Sequence, residues 1–175
     1  QMLALIAMED QGELDAGKIR AAREKVLGEL KRLSSDEIER QTVKGQYASY
    51  RTEEKVEPNS KTDTYFKVIT HIENDRWRGV PFILEGGKML GEQRVEIVLT
   101  FKKIESCVCT LPEGDQPRQN KLVISMYPDE KITITFWAKK RGFGMEIEPR
   151  EFTFNYQSLN QNTRKHDAYE KLLLD

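Results

Sequence analysis

The 175 residues are enough for one domain with a real hydrophobic core. The 28 basic and 29 acidic side chains leave a formal net charge of −1, so composition gives no reason to expect a nucleic-acid or membrane partner. The longest apolar run, Met2 to Met8, is too short to cross a bilayer and lacks the basic flank of a signal peptide.

The run from Met2 to Met8 reads as a helix with no cap in front of it. An apolar helix starting at the first residue is expected to continue a longer polypeptide. Asp15 is placed to cap a second helix, in which Ile19, Ala22, Val26, Leu30 and Leu33 recur at three- and four-residue steps. Its remaining face, with Arg20, Glu24 and Lys31, reads as solvated. Ser34-Ser35-Asp36-Glu37 has the form of a capping box before a short helix through Arg40. Val43 to Tyr47 leaves that helix, and a charged loop ending near Pro58-Asn59-Ser60 follows.

From Thr62 the period changes from helical to alternating. Thr64, Phe66, Val68, Thr70 and Ile72 are expected on one strand face, and Tyr65, Lys67, Ile69 and His71 on the other. Further strands are expected at Val80 to Leu84, Arg94 to Lys102, Lys121 to Met126, and through Ile132, Ile134, Phe136 and Ala138. A last strand should turn Phe152, Phe154 and Tyr156 inward. Between these, Ser106 to Asn120 reads as a long loop, and Pro128-Asp129-Glu130 and Arg141-Gly142-Phe143-Gly144 as turns. Asp167 caps a final helix to Asp175, too short to be stable alone, which again implies a longer natural chain. Helices followed by a run of strands give an α+β class: a large, mainly antiparallel mixed sheet with helices on one face. The helical part is 1–45 and the sheet part 62–156, with the start of a helix at 167–175.

The stretch Asn74 to Lys88 runs from a turn into an apolar strand and breaks on Gly86-Gly87, with Lys88 just beyond. Glycines permit positive φ and close approach of a ligand, and a lysine after them can reach an anion. The competing reading is a solvated turn whose lysine pairs with Glu85 or Glu92. No other chemistry stands out. His71 lies in a strand and His166 before a helix cap. Cys107 and Cys109 form a lone Cys-x-Cys that cannot fill a zinc site and reads as free thiols in a reducing, cytoplasmic compartment. No nucleophile elbow, dinucleotide fingerprint, P-loop or metal-ligand spacing is present.

Several blocks together carry a more specific signal: Gln1 to Glu9, Val43-Lys44-Gly45-Gln46-Tyr47, Arg76-Trp77-Arg78-Gly79-Val80-Pro81-Phe82, Gly87-Lys88, Asn120 to Ile124, Pro128-Asp129-Glu130, and Asp167 to Asp175. In this order and spacing the chain resembles the C-terminal domain of glucose-6-phosphate dehydrogenase. The resemblance implies the parent reaction, oxidation of glucose 6-phosphate to 6-phosphogluconolactone with NADP. It implies that the chain is about a third of that enzyme, lacking the Rossmann domain and the catalytic histidine, so no catalytic residue is assigned here. It also implies assembly into a homodimer or homotetramer through the sheet. Lys88 matches the family's substrate-contacting lysine. Gln93 stands where a second basic residue helps bind substrate, and Glu85 where the family has arginine. Some members hold a structural NADP, and the matching positions here are Ser125, Tyr127, Thr133 and Thr135. These lack that site's basic side chains, so no cofactor is expected on this chain. The remaining alternative is a stand-alone, non-catalytic interaction or sugar-phosphate-binding module.

Overall fold

The computed structural model describes residues 1–103 and 119–156. The expectations for Cys107, Cys109, His166 and the helix from Asp167 fall outside the described residues. The chain divides into two units, Gln1–Gly91 and Glu92–Asp175.

The first unit opens with helix α1 (Met2–Ala7), followed by α2 (Ala16–Gly28) and α3 (Ser35–Gln41). Asp15 caps α2 as expected, its carboxylate accepting from the Lys18 N–H at 2.8 Å. The helix ends earlier than its apolar spacing implied, because the next residues pair with the far end of the second strand. Lys31 N–H donates to the His71 carbonyl and Glu73 N–H to the Glu29 carbonyl, and Leu30 bridges Ile72. Those peptide groups are thereby taken from the helix. Ser34 and Glu37 form the complete capping box.

Strand β1 (Thr42–Gly45) follows α3 directly, where the sequence read only a departing chain. It pairs antiparallel with β2 (Tyr65–Thr70), which pairs antiparallel with β3 (Phe82–Gly87). β3 starts two residues later than expected, since Pro81 has no N–H for the ladder. It runs through both glycines instead of breaking at them.

Ala7, Val26 and Ile72 form the buried centre of this unit, with Leu3, Met8, Leu30, Trp77 and Phe82 packed around it. Trp77 ties the centre together. Its indole N–H donates to the Ala7 carbonyl at 2.8 Å, and its ring meets Phe82 edge-on at 5.3 Å. The turn leading to it is held by the Asn74 side chain accepting from Trp77 N–H, and by Gly79 at φ 79°.

The second unit contains β4 (Val95–Thr100), β5 (Lys121–Tyr127), β6 (Lys131–Lys139) and β7 (Ile147–Asn155), each antiparallel to its neighbour in that order. Pairings such as Leu99 with Leu122, Leu122 with Ile134, and Ile134 with Phe152 align one apolar face across all four strands. The fold is therefore α+β. Its strands are antiparallel throughout the described pairs and hydrogen-bond as two sheets of three and four, instead of one large mixed sheet. Phe152, Phe154 and Tyr156 are 62%, 39% and 44% exposed, so they do not point into a core formed by the described residues. No helix among the described residues is long and apolar enough to cross a membrane.

Candidate functional site

The groove at the end of the first sheet is built from the β1–β2 connection upward. After β1, Gln46 donates through Nε2 to the carbonyls of Ser60 and Thr62 at 3.1 and 3.0 Å. Its Oε1 accepts from Arg51 Nε at 3.0 Å. These bonds fold the charged loop back and set the short 3₁₀ turn Tyr50–Thr52 beside the strand ends. Thr64, just ahead of β2, is buried at 8% exposure and makes three hydrogen bonds. Its N–H donates to the Gly45 carbonyl, its Oγ1 accepts from Tyr47 N–H at 3.0 Å, and its carbonyl accepts from Lys88 N–H at 2.8 Å. Lys88 is thus fixed directly opposite Thr64, one step beyond the β2–β3 register of Tyr65 with Gly87.

The groove between Tyr50, Thr62, Phe66 and Gly86–Lys88 has a volume of about 350 Å³. Alternation puts Thr64, Phe66, Gly86 and Lys88 on one face, and Tyr65, Lys67, Glu85 and Gly87 on the other. The reason for the glycine pair differs from the expected one. Neither glycine has positive φ. A Cβ on Gly86 would stand 2.9 Å from the Phe66 ring, and one on Gly87 3.0 Å from the Tyr65 ring. The glycines make room for two cross-strand aromatic rings.

Glu85 is the acidic residue that threatened an anion site. It is held on the opposite face, where Tyr65 Oη donates to it at 3.0 Å and Lys67 Nζ lies at 3.8 Å. The Tyr65 hydroxyl is held above its usual pKa, first by that hydrogen bond and then by desolvation. Asp63, bordering the groove, is paired with Lys44 at 3.3 Å. In the second unit, Glu92 pairs with Arg94 at 3.5 Å. The ion pairs expected for a merely structural Lys88 are thus absent among the described residues. The Lys88 ammonium is exposed, with both Glu85 and Asp63 engaged elsewhere.

Gln93 belongs to the second unit, exposed ahead of β4. Its neighbour Arg94 is taken up by Glu92 and by Glu96 at 3.4 Å. Thr133 and Thr135 lie on one face of β6. Thr133 Oγ1 shares a hydrogen bond with Thr153 at 3.2 Å, and Thr135 donates to Glu151 at 3.4 Å. Lys131, which pairs across from Ser125, is 3.9 Å from Asp129. Among the described residues no cluster has metal-ligand character. Thr64, Tyr65 and Phe66 line the groove and were not singled out from the sequence. Their signal was an aromatic pair that finds a glycine pair across the strands, which requires the register to be known.

The model of the glucose-6-phosphate dehydrogenase C-terminal domain matches residues 1–175. The chain belongs to that family. It is 38% identical to the glucose-6-phosphate 1-dehydrogenase of Mycolicibacterium smegmatis, across 100% of this chain and 37% of that protein. It is 34% identical to glucose-6-phosphate 1-dehydrogenase 6, cytoplasmic, of Arabidopsis thaliana, across 100% of this chain and 33% of that protein. A solved glucose-6-phosphate dehydrogenase in complex with its substrate glucose-6-phosphate superposes with a TM-score of 0.83 at 32% identity. That match takes in 98% of this chain and 35% of the other. The chain spans about a third of the length of the curated relatives it matches. Within the glucose-6-phosphate dehydrogenase family, then, it corresponds to the C-terminal domain, and Lys88 follows the last residue of β3.

Proposed function

We propose that the chain is the substrate-and-assembly portion of a cytoplasmic glucose-6-phosphate dehydrogenase of the oxidative pentose phosphate pathway. The parent oxidises glucose 6-phosphate to 6-phosphogluconolactone, with NADP held mainly by an N-terminal Rossmann domain. NADP supplies the hydride acceptor when bound there. Hydride transfer needs sugar and nicotinamide held together with a base. This chain contributes the sugar-phosphate side of that arrangement and, alone, does not turn over substrate.

The observation that carries this reading is the Lys88 side chain, exposed at a groove whose lining carboxylate, Asp63, is already paired with Lys44. An anion arriving there meets an uncompensated positive charge. A charge-assisted contact to a phosphoryl oxygen contributes about 1.5–3 kcal/mol. Gln93, which the resemblance also assigns to substrate, belongs to the second unit and carries a neutral amide, so by itself it offers only uncharged hydrogen bonds. Support for glucose 6-phosphate as the ligand comes from the solved relative that holds it.

Lys88→Ala in the full-length parent tests the assignment. The KM for glucose 6-phosphate should rise about tenfold or more, with that for the nucleotide nearly unchanged. Equal kinetics with both substrates would return Lys88 to the status of an ordinary surface lysine.

A further inference from the structure

Phe66 is oddly placed for a strand aromatic. It shares a face with Val68 and Thr70, yet it is 46% exposed where Thr70 is 7% exposed. Its ring is nonetheless well seated. A Cβ at Gly86 would meet Cε1 at 2.9 Å and Cζ at 3.1 Å, so the ring occupies the space that any other residue at 86 would fill. Lys88 is two residues further along the same strand direction. The Lys88 N–H bond to the Thr64 carbonyl extends the ladder that far, so alternation returns the lysine to the face of Phe66 and Gly86. Two steps of extended chain span roughly 7 Å. That is the spacing of the Gly86 and Lys88 Cα atoms, and the groove is lined both by the exposed Phe66 ring and by Lys88, which has no ion pair among the described residues.

That pairing fits a particular ligand chemistry. A phosphorylated monosaccharide in its cyclic form has a C–H face and, across the ring, a dianionic phosphate. Binding sites of this kind combine an apolar or aromatic surface with a few convergent polar groups. We propose that Phe66 is a specificity-determining residue of this groove: its ring receives the C–H face of a cyclic hexose phosphate whose phosphate contacts Lys88. Gly86 is required because it lets the ring lie there. The proposal rests on the reading of Lys88 given above and adds to it what distinguishes a sugar phosphate from a bare phosphate.

The test uses the full-length parent with glucose 6-phosphate as substrate and inorganic phosphate as competitor. Lys88→Ala weakens both, because both use the ammonium. Phe66→Ala raises the KM for glucose 6-phosphate about tenfold while inhibition by inorganic phosphate stays within about twofold of the unaltered enzyme. Gly86→Ala, which displaces the ring and leaves Phe66 in the chain, gives the same selective rise and serves if Phe66→Ala folds poorly. An unchanged nucleotide KM shows that each variant is intact. If Lys88→Ala weakens both ligands while neither Phe66→Ala nor Gly86→Ala separates them, the role of Phe66 is overturned and that of Lys88 stands. If Lys88→Ala moves neither ligand, the reading beneath the proposal fails and the proposal falls with it.

Discussion

Thr64 shows how a single buried side chain can fix a site it does not itself form. Its hydroxyl satisfies the Tyr47 N–H at the end of β1, and its carbonyl holds the Lys88 N–H. Thr64→Val keeps the shape but removes the acceptor, leaving the part-buried Tyr47 amide without this partner. That change should destabilise the chain by about 1–3 kcal/mol, read as a lower midpoint in urea unfolding with an unchanged slope. An unchanged midpoint would mean that the Tyr47 amide finds another acceptor. At this scale the sequence was only partly legible. Lys88 could be singled out from its neighbours alone. The reason for Gly86 and Gly87 could not, because Phe66 and Tyr65 lie about twenty residues away and meet them only once the register is set.

Among the elements, those governed by local chemistry were the most legible. Asp15 and the Ser34–Glu37 box lie within four residues of the groups they satisfy, and both caps form. The box also carries a pH signature. Hydrogen bonds to Glu37 from the Lys31 ammonium first, and then from Ser34, hold its carboxyl down to about 2. A depressed carboxylate stabilises the fold above its unfolded value near 4.5, and that contribution fades as pH falls towards 2. Glu37→Gln should therefore flatten the acid dependence of stability between those values, measured by circular dichroism in a denaturant series at each pH. A slope equal to that of the unaltered chain would assign the acid response to other carboxylates. The boundaries that local chemistry does not set were less legible. α2 stops early and β1 exists because of pairing with the distant β2, and such contacts leave no mark on the nearby sequence. β3, by contrast, is displaced by a local cause, the missing N–H of Pro81, which could have been read in advance.

For the whole molecule, the order of helices and strands was sufficient for the α+β class, but the division of the strands into two sheets was not legible. Alternation in β4 to β7 gave the correct faces without saying what covers them. Ala4, Ala7, Val26 and Ile72, the fully buried apolar residues among those described, all belong to the first unit. In the second, Ile134, Phe136, Phe152 and Phe154 stay 39–62% exposed on the apolar face. A sheet of this kind associates through such a surface. The chain should sediment as a two-fold dimer or larger at micromolar concentration, and Phe152→Glu, which puts a charge on that face, should shift it toward monomer. A monomer before any substitution would place the family's assembly contacts outside this surface.

The two tryptophans give the chain a pair of built-in optical labels. Trp77 lies in the first unit, clamped between Ala7 and Phe82, and Trp137 lies in β6 of the second, its amide accepted by Asn120. Each unit therefore carries one indole of its own. Replacing either with phenylalanine leaves a fluorescence signal that belongs to one sheet alone. The loosening of the groove's scaffold can then be followed separately from that of the second sheet, in the same polypeptide and without any attached dye.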